Sequence, residues 1–275
     1  MEMRRLGSRG PSLPVVGMGT WKTFDVRGDP AERVRHQLVS EALRAGTRLF
    51  DSSPMYGEAE RVLGEALGHH RKEAFVATKV WAKVEGERDE QIASALRFFQ
   101  GQVDLYQIHN LSRQAEVLPK LLELRSTGQV SWVGATHYRR EAFGDLADLM
   151  SSGKIDTVQV PYNARDREAA DRLLPLAEEL GLGVLVMKPL GTGDLLHQVP
   201  PRDLMERLRP KGVATWAQVL LKWVLSDPRV DVVLPATSVV GRPTENAASG
   251  SPPWFDEEER EAVSRVFSKP AQASS

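Results

Sequence analysis

The stretch RLFDSSPMYGEAERVLGEAL, residues 48–67, decides the fold. It opens as a short apolar run that stops at Asp51, passes through a turn rich in Ser, Pro and Gly, and continues with apolar side chains at helical spacing. A strand, a tight loop and a helix are thus compressed into one unit, with a carboxylate at the strand exit and a phenol, Tyr56, in the loop.

The same unit recurs on both sides. Short runs rich in Val, Ile, Leu and Phe occupy residues 15–20, 48–51, 74–80, 103–109, 131–136, 157–161, 183–188 and 230–235. Helical periodicity fills residues 30–45, 58–69, 89–101, 114–128, 139–153, 166–181 and 215–226, and several of these segments end in glycine. Strand–helix alternation calls for parallel strands covered by helices, either an open doubly wound sheet or a closed barrel. Eight repeats favour an α/β fold of the eight-stranded (β/α)8 TIM-barrel type, forming a single domain over residues 1–275. A dinucleotide-binding open sheet is disfavoured, because GMGTWK and GTGDLL both lack the third glycine of its phosphate-binding turn. Residues 1–13 read as a hairpin closing the barrel floor, and residues 256–266 as an extra C-terminal helix with an acidic start. The tail from residue 268 onward is expected to fray. The segment between the seventh strand and its helix reads as short, leaving an open site.

Composition sets outer limits on function. Lys and Arg number 36 against 37 Asp and Glu, a net charge of -1, so no bulk field points to nucleic acid or an acidic membrane. There are no cysteines, which removes disulfides, thiolate nucleophiles and cysteine-ligated zinc, and fits a reducing compartment. Residues 1–21 carry no apolar targeting segment and no window is long and apolar enough to span a bilayer, so a cytoplasmic protein is expected, monomeric by default. His69-His70 has no third ligand at metal spacing, and no metal site is expected.

In a barrel the working face is the set of strand C-terminal ends. Asp51 closes the second strand, Tyr56 follows it, Lys79 lies near the end of the third, and His109 closes the fourth. Taken singly, Asp51 can be a turn cap, Tyr56 loop packing and His109 a core histidine. Lys79 is harder to set aside, because a lysine inside FVATKV is a costly buried cation without an anion beside it. Asp51 can supply that anion, the Lys79 charge can lower the Tyr56 pKa toward use as a proton donor, and His109 can orient a substrate oxygen. Trp21, Trp81, Pro54, Met55, Asn110 and Tyr138 sit at the same strand ends and outline an apolar, partly aromatic pocket for a small-molecule carbonyl substrate.

This ordered set resembles the aldo-keto reductase superfamily, as a divergent member. The likeness runs through VVGMGTW, RLFDSSPMYGEAERVLGEAL, ATKVW, VDLYQIHN, VGATHY, QVPYN, KPLGTG and LPATSVVGRPTEN. The resemblance implies a (β/α)8 barrel, a catalytic tetrad of Asp51, Tyr56, Lys79 and His109, and hydride transfer from a nicotinamide cofactor to an aldehyde or ketone. It implies NADPH, with NADH possible, held by Gly19, Thr20, Trp21, Asp51, Thr136, His137, Gln159, Met187, Lys188, Leu190, Thr237, Arg242, Glu245 and Asn246. Thr136 and His137 stand where the family usually has Ser-Asn, Met187 where many members stack a tyrosine, and Ala236 where a lysine often grips the 2'-phosphate. Two rival readings stay open: a cofactor-binding regulatory protein on the same fold, and an isomerase or lyase using Lys79 as a Schiff-base amine.

Overall fold

The computed structural model describes residues 1–268, so the expected frayed tail lies almost wholly outside the described residues. An antiparallel hairpin comes first, β1 (Met3–Arg5) against β2 (Ser12–Pro14), with Met3 opposite Pro14. Eight parallel strands follow: β3 (Met18–Gly19), β4 (Leu49–Asp51), β5 (Phe75–Val80), β6 (Val103–His109), β7 (Val130–Thr136), β8 (Thr157–Pro161), β9 (Gly183–Met187) and β10 (Val232–Val233). They pair in chain order, and bridges from Val16 to Val233 and from Gly19 to Ala236 join the last strand to the first, closing the barrel.

The helices are α1 (Asp29–Arg44), α2 (Ala59–Leu67), α3 (Glu87–Phe98), α4 (Gln114–Ser126), α5 (Phe143–Ser151), α6 (Ala169–Leu180), α7 (Arg202–Leu208), α8 (Trp216–Leu225), α9 (Arg242–Ala248) and α10 (Glu257–Arg265). The expected terminal helix is α10, and the Asp256 side chain caps it in a reciprocal box with Glu259. Two helices went unanticipated. α7 lies in the connection after β9, which is therefore long, spanning residues 188–215 with two 3-10 segments as well, and corrects the expectation of a short segment there. α9 lies after β10, where Pro243 at its start and only seven residues of length hid the helical period.

Period-2 alternation sorts the strand residues. Leu49, Phe75, Ala77, Leu105, Leu185, Val232 and Leu234 form an inner cluster that Leu6 and Leu13 of the hairpin segment plug from below. Phe50, Val76, Val80, Tyr106 and Ile108 belong instead to the larger cluster beneath the helices. The alternation has a chemical consequence. On β5 the inward series Phe75, Ala77, Lys79 climbs from apolar floor to charged mouth, and on β4 the step from Leu49 to Asp51 does the same.

Candidate active site

Register brings the polar strand ends side by side. Asp51 pairs with Ala77, Lys79 with Gln107, His109 with Thr136, and Thr136 with Gln159. Lys79 Nζ donates to both Asp51 carboxylate oxygens, at 2.7 and 2.8 Å, and to the Ser52 carbonyl at 2.7 Å. Lys79 is 1% exposed and Asp51 4%, so this ion pair is dry. Burial opposes the Lys79 charge, but Asp51, with help from Tyr56 and Glu60, outweighs it and raises the lysine pKa. Removing either partner leaves the other as an uncompensated buried charge.

Tyr56 reaches this pair from the short 3-10 turn Pro54–Tyr56, which the Ser53 hydroxyl caps by accepting from the Met55 amide. Gly57 ends the turn at φ 61°, and a Cβ there would strike the Asp25 carboxylate, so the glycine is required. The Tyr56 ring lies 5.3 Å from Lys79 Nζ and meets the His109 ring edge-on at 5.9 Å between centroids. Its pKa is raised, because burial exceeds the lowering by Lys79, and Asp51 adds to the rise. This corrects the expectation of a net lowering: the phenol stays protonated at neutral pH, with the Lys79 charge beside it opposing the rise without cancelling it.

His109 is pushed down to about 3, first by burial and then by the Lys79 charge and His137, so its imidazole is neutral. Its Nδ1 lies 2.9 Å from Ser53 Oγ. Because Ser53 Oγ already accepts from Met55, donation of its proton to Nδ1 satisfies both groups and leaves the Nε2 proton as a donor for a ligand. Ser53 was not singled out in the sequence; the turn it caps was the available signal.

Below the pair, Gln107 Nε2 donates to Gln159 Oε1 at 2.9 Å, and both amides reach toward Asp51 at 3.5 and 3.4 Å. Gln107 Oε1 is buried without a partner, an acceptor left open inside the barrel. Behind β5, Glu60 of α2 is buried and accepts from the Thr78 hydroxyl, one residue from Lys79. Burial pushes the Glu60 carboxyl up to about 7, against the pull of Thr78 and Lys79.

Above the tetrad lies a cavity of about 440 Å³. Of the anticipated residues its wall contains Gly19, Thr20, Trp21, Asp51, Met55, Tyr56, His109, Asn110, Tyr138, Gln159, Met187, Lys188 and Leu190, joined by Lys22, Pro235 and Ala236. Thr136, His137, Trp81 and Pro54 do not line it. Thr136 is buried in the strand, His137 stacks on Tyr138 at 5.8 Å, and the Trp81 ring lies under Lys83 Nζ at 4.1 Å. Lys22 Nζ sits 4.7 Å over the Trp21 ring, while Lys188 Nζ lies 4.4 Å from the Tyr138 ring and 6.0 Å from Trp21. Among the described residues neither lysine pairs with a carboxylate, so two cations face the mouth uncommitted. Lys22, at the end of GMGTWK, carries no pattern in the sequence that marks it as a wall residue.

Thr237, Arg242, Glu245 and Asn246 are gathered at the end of β10 and in α9, outside that cavity. Arg242 Nε lies 3.3 Å from Glu245 Oε2, and Asn246 is buried. The described residues hold no group of three or more side chains able to ligate a metal, and no helix long and apolar enough to cross a membrane.

A sequence profile of the Aldo/keto reductase family matches residues 15–266. The chain belongs to the aldo/keto reductase family. It is 29% identical over 282 residues to L-galactose dehydrogenase of Arabidopsis thaliana, covering 90% of this chain and 88% of the relative. It is also 29% identical over 239 residues to an NADH-specific methylglyoxal reductase of Escherichia coli, covering 74% and 71%. The crystal structure of an aldo-keto reductase from Klebsiella pneumoniae in complex with NADPH superposes with a TM-score of 0.81 at 22% identity, over 98% of this chain and 97% of the other. That likeness supports the (β/α)8 fold reached from the strand pairing.

Proposed function

We propose that this family member is an oxidoreductase that reduces an aldehyde or ketone to an alcohol, with Tyr56 as proton donor. The observation that carries the reading is the dry Lys79–Asp51 pair beneath a protonated Tyr56. A lysine held charged in a barrel mouth is a poor Schiff-base nucleophile, because its lone pair is protonated and aimed at Asp51 and the Ser52 carbonyl. The same charge stabilises a phenolate, as a proton donor of high pKa needs.

A nicotinamide cofactor fits the residues present. The cavity wall offers apolar surface from Met187, Leu190, Trp21 and Pro235 beside the amide of Gln159 and the cations of Lys22 and Lys188. Gln159 would hold the carboxamide, Met187 would pack on the ring through its polarisable thioether, Lys22 and Lys188 would face the diphosphate, and Arg242 with Asn246 the adenosine end. When bound, the cofactor supplies the hydride. NADPH is the cofactor named in the Klebsiella complex and NADH the one named for the E. coli relative; for this chain we assign NADPH, with NADH usable.

The chain's own groups do the remainder. The neutral His109 donates from Nε2 to the carbonyl oxygen and sets its direction toward Tyr56. Tyr56 gives its proton to that oxygen as the carbonyl carbon is reduced, and Lys79 holds the resulting phenolate until solvent returns a proton. Trp21, Met55, Asn110 and Tyr138 surround the substrate, and the exposure of Met55 and Tyr138, 37% and 38%, leaves the mouth open to small carbonyl compounds. The direct test is oxidation of NADPH and of NADH against a panel of small aldehydes and ketones. Aldehyde-dependent oxidation with at least one cofactor is expected; none with any member of the panel would overturn the reading.

A further inference from the structure

Glu41 lies on α1, two hundred positions in sequence from the start of α9 that it meets. Its Oε2 accepts from the Gly241 amide at 2.9 Å, and its Oε1 accepts from the Thr244 amide at 3.1 Å and the Thr244 hydroxyl at 2.8 Å. Glu41 thereby occupies the start of α9 on both sides of Arg242. The carboxylate is mostly covered; burial pulls its pKa up, but the amide of Gly241 and the two groups of Thr244 outweigh that and hold it below the ordinary range, so it is charged at neutral pH.

Arg242 is the cation that would meet an adenosine 2'-phosphate, and its guanidinium is already shared with Glu245 at 3.3 Å. Glu245 is itself anchored, accepting from the Thr215 hydroxyl at 2.6 Å. Ala236, at the end of the eighth strand, adds no charge. One guanidinium, already paired with Glu245, therefore stands on a helix start whose Gly241 and Thr244 amides are held by the charged Glu41 carboxylate.

We propose that Glu41 is a specificity-determining residue that weakens the site's preference for the 2'-phosphate, so that the protein takes NADH alongside NADPH. The inference rests on the cofactor-dependent reading given above. Glu41 acts through α9 and through its field, without touching the cofactor. A purely structural cap would influence both cofactors alike, whereas a charge acts on the phosphate that only one of them carries.

The test is titration of both cofactors by quenching of the intrinsic tryptophan fluorescence, Trp21 being in the cavity wall. In the wild-type protein the two affinities are expected to lie within about tenfold of each other, since one compensated cation is weaker than a free forked contact. Glu41→Gln keeps an acceptor for Thr244 and removes the charge; NADPH should tighten about fivefold and NADH change less than about twofold. Thr244→Ala removes one bond to Glu41 and keeps the charge, and it should leave the ratio unmoved. Arg242→Ala should weaken NADPH about tenfold with little effect on NADH. A wild-type preference for NADPH above about a hundredfold, or a Glu41→Gln ratio equal to the wild-type one, overturns the inference while the cofactor-dependent reading stands. Failure of the wild-type protein to bind either cofactor sinks both.

Discussion

The two ends of the proposed cofactor track are built on opposite principles. At the tetrad end, the charges sit on barrel strands, are 1% and 4% exposed, and are paired within the protein before any ligand arrives. At the adenosine end, the cation sits on a short helix, the Arg242 side chain is 47% exposed, and its carboxylate partner, Glu245, comes from its own helix. Strands of a closed barrel hold a polar group to one position, which suits chemistry that needs fixed geometry. A helix end at the surface is screened by solvent and adjusts cheaply, which suits discrimination between ligands that differ by one phosphate. Perturbation should therefore cost much at the first end and little at the second.

The largest cost is expected from the dry pair. Asp51→Asn leaves Lys79 buried with only the Ser52 carbonyl and a neutral amide, and should lower stability by ~3–5 kcal/mol as well as turnover. Lys79→Met leaves Asp51 a buried anion with only the Gln107 and Gln159 amides near it, and also removes the charge that stabilises a Tyr56 phenolate, so turnover should fall with NADPH binding retained. Denaturant melts and rates for both variants check this. An Asp51→Asn protein as stable and active as the parent would erase the contrast between the two ends.

A smaller effect concerns Glu60, behind the same strand. Its folded pKa is about 7, raised from 4.5, so between those values the folded chain keeps a proton that the unfolded chain has lost. Stability then falls as pH rises through that window and levels off above it. The shift corresponds to about 3 kcal/mol, and Glu60→Gln should remove that part of the pH dependence. Denaturation at about pH 5 and about pH 8, for parent and variant, measures it; equal pH slopes would show that Glu60 is ionised throughout. The smallest change belongs to the adenosine end, where the about fivefold gain expected for Glu41→Gln sharpens the comparison from the other side.

How far the sequence could be read follows the same division. Asp51 and His109 close strands, and Lys79 lies one residue from the end of another, whose period-2 pattern is plain, so their convergence follows from the fold. The partners that tune them are less visible. Ser53 reads as one more turn residue, and Glu60 in GEAERVLGEAL reads as a solvated helix charge until α2 is laid against Thr78. Glu41 meets Gly241 across two hundred positions of sequence, a contact that only the closing of the barrel brings about. α9 itself was hidden, because a seven-residue helix shows too little periodicity. The direction of the Tyr56 shift is hidden in the sequence for a related reason: the charge of Lys79 is written there, whereas the burial that outweighs it is a property of the packed loop.

The central claim is that Tyr56 is the proton donor, held protonated by burial and served by Lys79. Its most direct test pairs two readings on Tyr56→Phe: cofactor affinity by fluorescence titration, and turnover with an aldehyde that the parent reduces. The account predicts NADPH affinity within about twofold of the parent and turnover reduced by at least ~10²-fold, since the loss is confined to proton transfer. Near-parental turnover in that variant, with the cofactor bound as before, would contradict it.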